Sequence, residues 1–412
     1  MTSRTADAVV VGAGVIGCSV AYELARDGLS VVVVDRAGAP GQGSTSASSA
    51  IVRFNYSTWD GIATSWESRF CWERWAEHLG GAEGEPARFV RTGMAFLDVD
   101  VAPAERVLPL FDRAGIPYER WDAAELARRG FDPGRYWPPR RVDDPAFWAD
   151  PDTTLGAVWT PDAGYVDDPS LAALNLAASA RRRGATFLLG RTVVGVADGV
   201  RLDDGTAVSA PVVVNAAGPW SGALNRLAGV GDGWAVSVRP LRQEVHHIPA
   251  PPGYEGPIVG DLDLGVYLRP APGGALLVGG TEPECDGLQW LDDPDEANPN
   301  PTREVYEAQV TRAARRLPDL GVPGTMRGIA GVYDVTEDWT PVYDRTERDG
   351  YYVAIGTSGN QFKNAPLAGR FLAALVRGET TYTGAHTGLT IDLASFGRLR
   401  PRNAASSGTV MG

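Results

Sequence analysis

Cysteine is scarce in this chain. Cys18, Cys71 and Cys285 are the three in 412 residues, widely spaced and without a C-x-x-C pair. That excludes a disulfide framework and a cysteine metal knuckle, and it suits a reducing compartment. Histidine is as thin, with His78, His246, His247 and His386 showing no ligand spacing, so no metal site is expected. Positive charge is in deficit: 38 Lys and Arg against 51 Asp and Glu leave a net charge of −13. Such a balance argues against nucleic acid and anionic membrane surfaces as partners, but a locally basic pocket can still take a small anion. No apolar run is long enough to span a bilayer, and there is no internal repeat. The opening apolar run contains glycines and is followed by Glu23 and Arg26. It therefore fits a strand and turn better than a signal peptide, and a soluble cytoplasmic protein is expected. The length allows a large core and suggests two domains.

What is present is concentrated between Ala8 and Arg36, AVVVGAGVIGCSVAYELARDGLSVVVVDR. Ala8–Val11 reads as a buried strand and Val31–Val34 as a second, ending on Asp35. Between them Gly12, Gly14 and Gly17 stand in G-x-G-x-x-G spacing at the start of a helix. Each glycine has a mechanical task in a dinucleotide site: a tight turn, close backbone approach to a pyrophosphate, and close helix–strand packing. The helix N-terminus, with Val15 and Ile16 in its first turn, favours phosphate. Asp35, with Arg36 beside it, stands where a carboxylate accepts hydrogen bonds from a ribose.

The rest of the chain follows in order. Gly41–Ser57 is rich in small hydroxyl residues and contains one cation, Arg53. It reads either as a surface loop or as a segment laid against a cofactor. Asp60–Leu79 has apolar residues at helical spacing, and its Trp-rich stripe suits core packing. Arg91–Val99 reads as a strand, and residues 131–152, dense in Pro, Trp, Asp and Arg, as an irregular excursion. Asp168 and Pro169 open a helix that Gly184 ends. Short strands follow, with Asp203-Asp204-Gly205 as a hairpin turn, then a buried strand Val212–Asn215 running into Ala216-Ala217-Gly218. Residues 239–280 alternate like an antiparallel sheet, with strands at Leu241–Ile248, Gly265–Arg269 and Ala275–Gly279. His246 and His247 alternate there, so only one can face a pocket. Thr302–Leu317 reads as a helix. Gly356–Lys363, GTSGNQFK, is a second glycine-containing strand-to-helix junction.

Five stretches together resemble the D-amino acid oxidase-like flavoprotein superfamily, nearest to its sarcosine oxidase and N-methyl amino acid oxidase branch. They are the first motif with Asp35, GSTSASSAIVR, AAGPW, GVYDVTEDWTPVYD and GTSGNQFK. The resemblance spans residues 5–390. It implies an α/β fold: a glutathione-reductase-like FAD-binding Rossmann domain interleaved with a smaller α+β substrate domain on an antiparallel sheet. The FAD domain would take 1–92, 151–230 and 321–395, and the substrate domain 93–150 and 231–320. Residues 396–412 would be a disordered tail.

The resemblance also assigns site residues. Ser44, Thr45 and Ser46 would lie by the phosphates and flavin, Val193 would bond the adenine edge through its backbone, and Ala217 and Gly218 would line the cofactor. Gly356, Gly359, Asn360, Gln361 and Phe362 match a loop whose amides reach the flavin pyrimidine oxygens. Arg53 and Lys363 match the cations that hold the substrate carboxylate; the competing reading is an ordinary ion pair. Tyr267 and Tyr333 match aromatic positions above the flavin, the first across an alignment gap.

Two positions depart from the branch. Gly331 replaces the cysteine that tethers FAD, so FAD would be noncovalent. Leu277 replaces the lysine that promotes reaction with oxygen. The expected reaction is oxidation of an amino acid or N-substituted amino acid to an imine by hydride transfer to flavin N5, with molecular oxygen reduced to hydrogen peroxide. The rivals are a dehydrogenase using another acceptor, a non-catalytic flavin-binding subunit, and an NAD enzyme. Phe54, Tyr56 and Trp59 are candidates for an aromatic substrate pocket.

Overall fold

A computed structural model describes residues 3–81 and 84–412. Its first large sheet has six strands in the order Thr186–Leu189, Val31–Asp35, Ala8–Val11, Val212–Asn215, Tyr351–Ile355 and Val342–Arg345. The first five are parallel and the last is an antiparallel edge. Parallel strands are covered on both faces, which is why the three central segments, Val31–Asp35, Ala8–Val11 and Val212–Asn215, are near-continuous valine. Successive residues serve opposite faces: Ala8 and Val10 belong to one core, Val9 and Val11 to another.

On one face lies the helix Val15–Arg26, packed between the helices Pro169–Arg182 and Ala365–Val376. The other face is covered by a four-stranded sheet, Ser3–Thr5, Ala207–Ser209, Gly199–Leu202 and Val193–Ala197, through Val200, Leu202 and Val208.

The second large sheet has nine strands, mostly antiparallel. Its long central strand, Val238–Pro249, pairs with Gly328–Thr336 from Val238↔Thr336 to His246↔Gly328. The chain then turns into Val342–Arg345, so the two large sheets are joined through consecutive strands. The helix Arg303–Arg316 is fastened to this sheet by Arg316, which donates to Asp261 and Asp263 at 2.7 Å each, all three buried. Among the described residues no helix is long and apolar enough to cross a membrane.

Several expectations are corrected. The helix expected over 60–79 is two, Trp59–Glu73 and Trp75–His78, because Arg74 leaves helical geometry at φ −114°, ψ 43°. The strand expected over 91–99 is split into Phe89–Arg91 and Met94–Leu97 by Gly93 at φ +69°. Ile258–Asp261, unassigned from sequence, is a buried strand. The largest correction is the tail. Residues 396–412 were expected to be disordered, yet Val410 and Met411 are buried and Arg400 pairs with Asp338 at 2.8 Å. Their apolar and charged groups find partners contributed by distant parts of the chain.

Candidate functional site

The C-terminal ends of the parallel strands open into a cavity of about 940 Å³ whose far side is the mixed sheet. This is where open α/β sheets place ligands. Gly12 turns the chain at φ +108°, and a side chain there would overlap the carbonyl of Ala216. Gly14 and Ile16 line the cavity with Val11 and Val34. Asp35 accepts from Ala13 N at 2.5 Å and Ala37 N at 2.7 Å, which fixes its carboxylate at the cavity wall. Val15 N–H is taken by Thr45 Oγ1 at 3.0 Å, so that expected phosphate donor instead anchors the 44–47 turn. Ser44 Oγ donates to Val332 O at 2.5 Å, tying the same turn to the second sheet.

Arg36 also faces the cavity, but its guanidinium is committed to both oxygens of Asp295. Trp220 Nε1 donates to the same carboxylate at 2.9 Å, and the guanidinium sits 4.6 Å from the Trp220 ring. Residues Leu291–Asp295 thereby form part of the wall near Asp35. Sequence reading missed them: a polar, Pro-broken loop carries no signal of what it will meet. Asp334 was missed as well. It lines the cavity, Thr357 Oγ1 donates to its Oδ1, and its Oδ2 is buried without a partner among the described residues. Burial raises its pKa above the ordinary carboxylate range.

Arg53 and Lys363 come together as expected, each 3 % exposed and both on the cavity wall. Arg53 Nη1 donates to Asn55 O and Nη2 to Val410 O, the latter at 2.6 Å. Lys363 Nζ donates to Tyr56 OH at 3.0 Å and to Asn360 O. Among the described residues neither cation has a carboxylate partner, which removes the ion-pair alternative. Burial first, and Arg53 second, hold the Lys363 pKa well below that of an ordinary lysine. Burial likewise lowers that of Arg53.

Tyr267 and Tyr333 share this wall. Tyr267 OH lies 2.6 Å from Ser49 Oγ, and burial pushes its pKa up to about 12. The Tyr333 ring lies against Gly359, whose φ of +66° and contact with the ring both require glycine.

Ser44, Thr45, Val193, Ala217, Gly218, Asn360, Gln361 and Phe362 all line the cavity. Gly17, Ser46, Gly331 and Gly356 do not, for identifiable reasons. A side chain at Gly17 would overlap Gly12 O, so its task is helix–strand packing. Ser46 Oγ is turned to Gly43 O at 2.9 Å. A Cβ on Gly331 would meet Ala47 Cβ at 2.6 Å, and one on Gly356 would meet Thr336 Cγ2 at 2.5 Å. Neither His246 nor His247 lines the cavity. His246 is fully buried edge-on to Tyr306, and burial lowers its pKa to about 4. Phe54 packs on Trp66, Tyr56 bonds Lys363, and Trp59 lies under Arg113, so that trio makes no aromatic substrate wall.

The family profile described as "DAO: FAD dependent oxidoreductase" matches residues 7–375. The chain belongs to the DAO family of FAD-dependent oxidoreductases. Glycine oxidase of Geobacillus kaustophilus is 27 % identical over 428 residues, covering 96 % of this chain and 100 % of that one. N-methyl-L-tryptophan oxidase of Salmonella dublin is 25 % identical over 396 residues, covering 91 % and 95 %. The fold is shared with the solved L-proline dehydrogenase of P. horikoshii, at a TM-score of 0.77 and 23 % identity over 97 % of this chain and 98 % of that one.

The cofactor of this DAO-family enzyme is FAD, and the cavity fits it. Gly12 makes the tight turn against Ala216 O, and Gly14, without a side chain on the cavity wall, leaves backbone open to a pyrophosphate. The Asp35 oxygens, each already accepting one N–H, keep lone pairs for ribose hydroxyls. The unpartnered Oδ2 of Asp334 on the cavity wall calls for a donor, which a hydroxyl of the bound cofactor could supply.

Proposed function

We propose that this enzyme oxidises the C–N bond of an α-amino acid or N-substituted amino acid, giving an imine that water hydrolyses. FAD, when bound, would supply the two-electron acceptor for a hydride from the carbon next to nitrogen. The observation that carries the reading is the Arg53–Lys363 pair: two buried basic side chains on one cavity wall, neither with a carboxylate partner among the described residues. Burying positive charge without a counter-ion is costly, and a substrate carboxylate removes that cost. Arg53 uses two of its five N–H donors on Asn55 O and Val410 O, which leaves three for the carboxylate. Holding the carboxylate fixes the carbon beside it, and fixed geometry lowers the barrier to transfer. The amine arrives neutral, and its lone pair forms the C=N bond as the hydride departs, leaving an iminium that releases an N–H proton to water as the imine or is hydrolysed directly. Tyr267, Tyr333 and Phe362 exclude water from this end of the cavity. FAD is held noncovalently: Gly331 offers no thiol, and Cys18, Cys71 and Cys285 are absent from the cavity wall. The three unpaired thiols support a cytoplasmic location.

Oxygen is the proposed electron acceptor, with hydrogen peroxide as product; two relatives named as oxidases support this. The second reading is a dehydrogenase. It is favoured by the resemblance, in which Leu277 matches the lysine of the oxidase branch, although neither Leu277 nor Arg269 lines the cavity. Arg269, the cation paired across from Leu277, is committed to Ser49 O at 2.9 Å and to the Tyr165 ring.

The test is anaerobic titration of the flavin absorbance with amino acids and N-methyl amino acids, followed by air. We expect bleaching by a carboxylate-bearing amine and rapid recovery in air. Slow recovery would select the dehydrogenase. Arg53→Ala is expected to raise KM about 100-fold, and unchanged turnover would overturn the carboxylate clamp.

A further inference from the structure

The segment expected to be disordered lies against the substrate end of the cavity. Val410 and Met411 line it together with Arg53, Tyr267 and Tyr333. We propose that residues 400–412 are a built wall of the substrate chamber, in which the Val410 carbonyl positions the Arg53 guanidinium and the Met411 side chain limits the size of the substrate. The proposal rests on the amino acid reading above and adds to it a specificity device.

Three observations carry it. First, the Arg53 plane is set by two carbonyls on different parts of the chain, Asn55 O and Val410 O, so the orientation of its remaining donors depends on the tail. Secondly, the tail is locked where it touches the site. Val410 N donates to the buried Glu282 at 2.8 Å, so residue 410 is gripped through both its N–H and its C=O. Met411 is 5 % exposed, and a Cβ on Gly260 would come within 2.6 Å of its Cε. Gly260 thus leaves the space that Met411 fills. Thirdly, the tail is fastened upstream. Arg400 donates to both oxygens of Asp338, at 2.8 and 3.2 Å, and both side chains are buried. Asn403 adds bonds to Asp338 Oδ2 at 3.1 Å and to Ser57 Oγ at 2.8 Å. Such contacts commit the segment to one place.

The consequences differ for the two residues. Shortening Met411 enlarges the chamber without touching Arg53. Releasing the tail frees Arg53 from Val410 O and weakens its hold on a carboxylate. Met411→Ala and Arg400→Ala are therefore compared with the parent holoenzyme. The readouts are kcat and KM for glycine and phenylalanine, the binding of acetate and benzoate followed by flavin absorbance, and tryptic cleavage in the tail. Met411→Ala is expected to raise the phenylalanine-to-glycine ratio of kcat/KM about tenfold. Arg400→Ala is expected to raise KM and both carboxylate dissociation constants about tenfold at unchanged kcat, and to expose the tail to trypsin. If Arg400→Ala loses FAD through misfolding, Met411→Ala decides alone. Unchanged selectivity in Met411→Ala, with a parent that turns over amino acids, would overturn the wall and leave the amino acid reading standing. A parent that responds to no amino acid and to neither carboxylate would overturn both.

Discussion

Lys363 shows how far a side chain's chemistry can depart from its identity. Its presence in GTSGNQFK is legible, but its charge is not, because that depends on burial and on Arg53, a residue remote in sequence. Desolvation and the neighbouring guanidinium both disfavour the ammonium, so the pKa is depressed in the free enzyme. A carboxylate bound between the two cations favours the ammonium and raises that pKa. Between the free and bound values, binding takes up a proton, so affinity falls as pH rises through that window. Calorimetry of acetate or substrate binding in buffers of different ionisation enthalpy is expected to show this uptake, and Lys363→Met to abolish it. A proton count of zero in the parent would mean that Lys363 keeps its charge state on binding. The same principle separates His246 from function: its strand and alternation were readable, but only packing shows it sealed against Tyr306 and Glu244.

At the scale of elements, the first strand–turn–helix unit was legible because its constraints are local. Valine runs make buried strands, and glycines stand where backbone must approach backbone. Gly17 is the sharpest case, since a methyl group there would overlap Gly12 O. Gly17→Ala is expected to destabilise the protein by about 1–3 kcal/mol or more through overpacking. Because the displaced turn carries Gly12 and Gly14, FAD affinity should fall with it. Thermal unfolding with and without FAD measures both effects, and an unchanged melting temperature would contradict the close packing. Elements went unread where the cause was remote. The helix break at Arg74 and the strand Ile258–Asp261 have no local punctuation strong enough to announce them. The Leu291–Asp295 loop acquires its role only by meeting Arg36 and Trp220.

Across the whole molecule, the two large sheets are held together by chain connections and by the groups that face one another across the cavity. The first motif, the 44–47 turn and the Gly359–Lys363 loop line one cavity only in the folded chain, so FAD held there would bind the folded chain and not the unfolded one. Linkage then requires stability to rise by about 1.4 kcal/mol for each tenfold of free FAD above its dissociation constant. Melting temperatures of flavin-stripped protein are expected to climb with FAD and to stay flat with NAD. The reverse pattern would return the NAD enzyme to contention.

Sequence alone determined the dinucleotide unit, the order of most strands and helices, and the cations and tyrosines that share the cavity. Periodicity, glycine sterics and family-specific stretches act over a few residues at a time. Tertiary structure decided what those groups do to one another. It set the depressed Lys363, the clasp of Arg36 by Asp295, and the burial of Val410 and Met411 beside Arg53. Each of these depends on segments distant along the chain meeting in space, and burial, charge proximity and shared hydrogen bonds come into being only when they do.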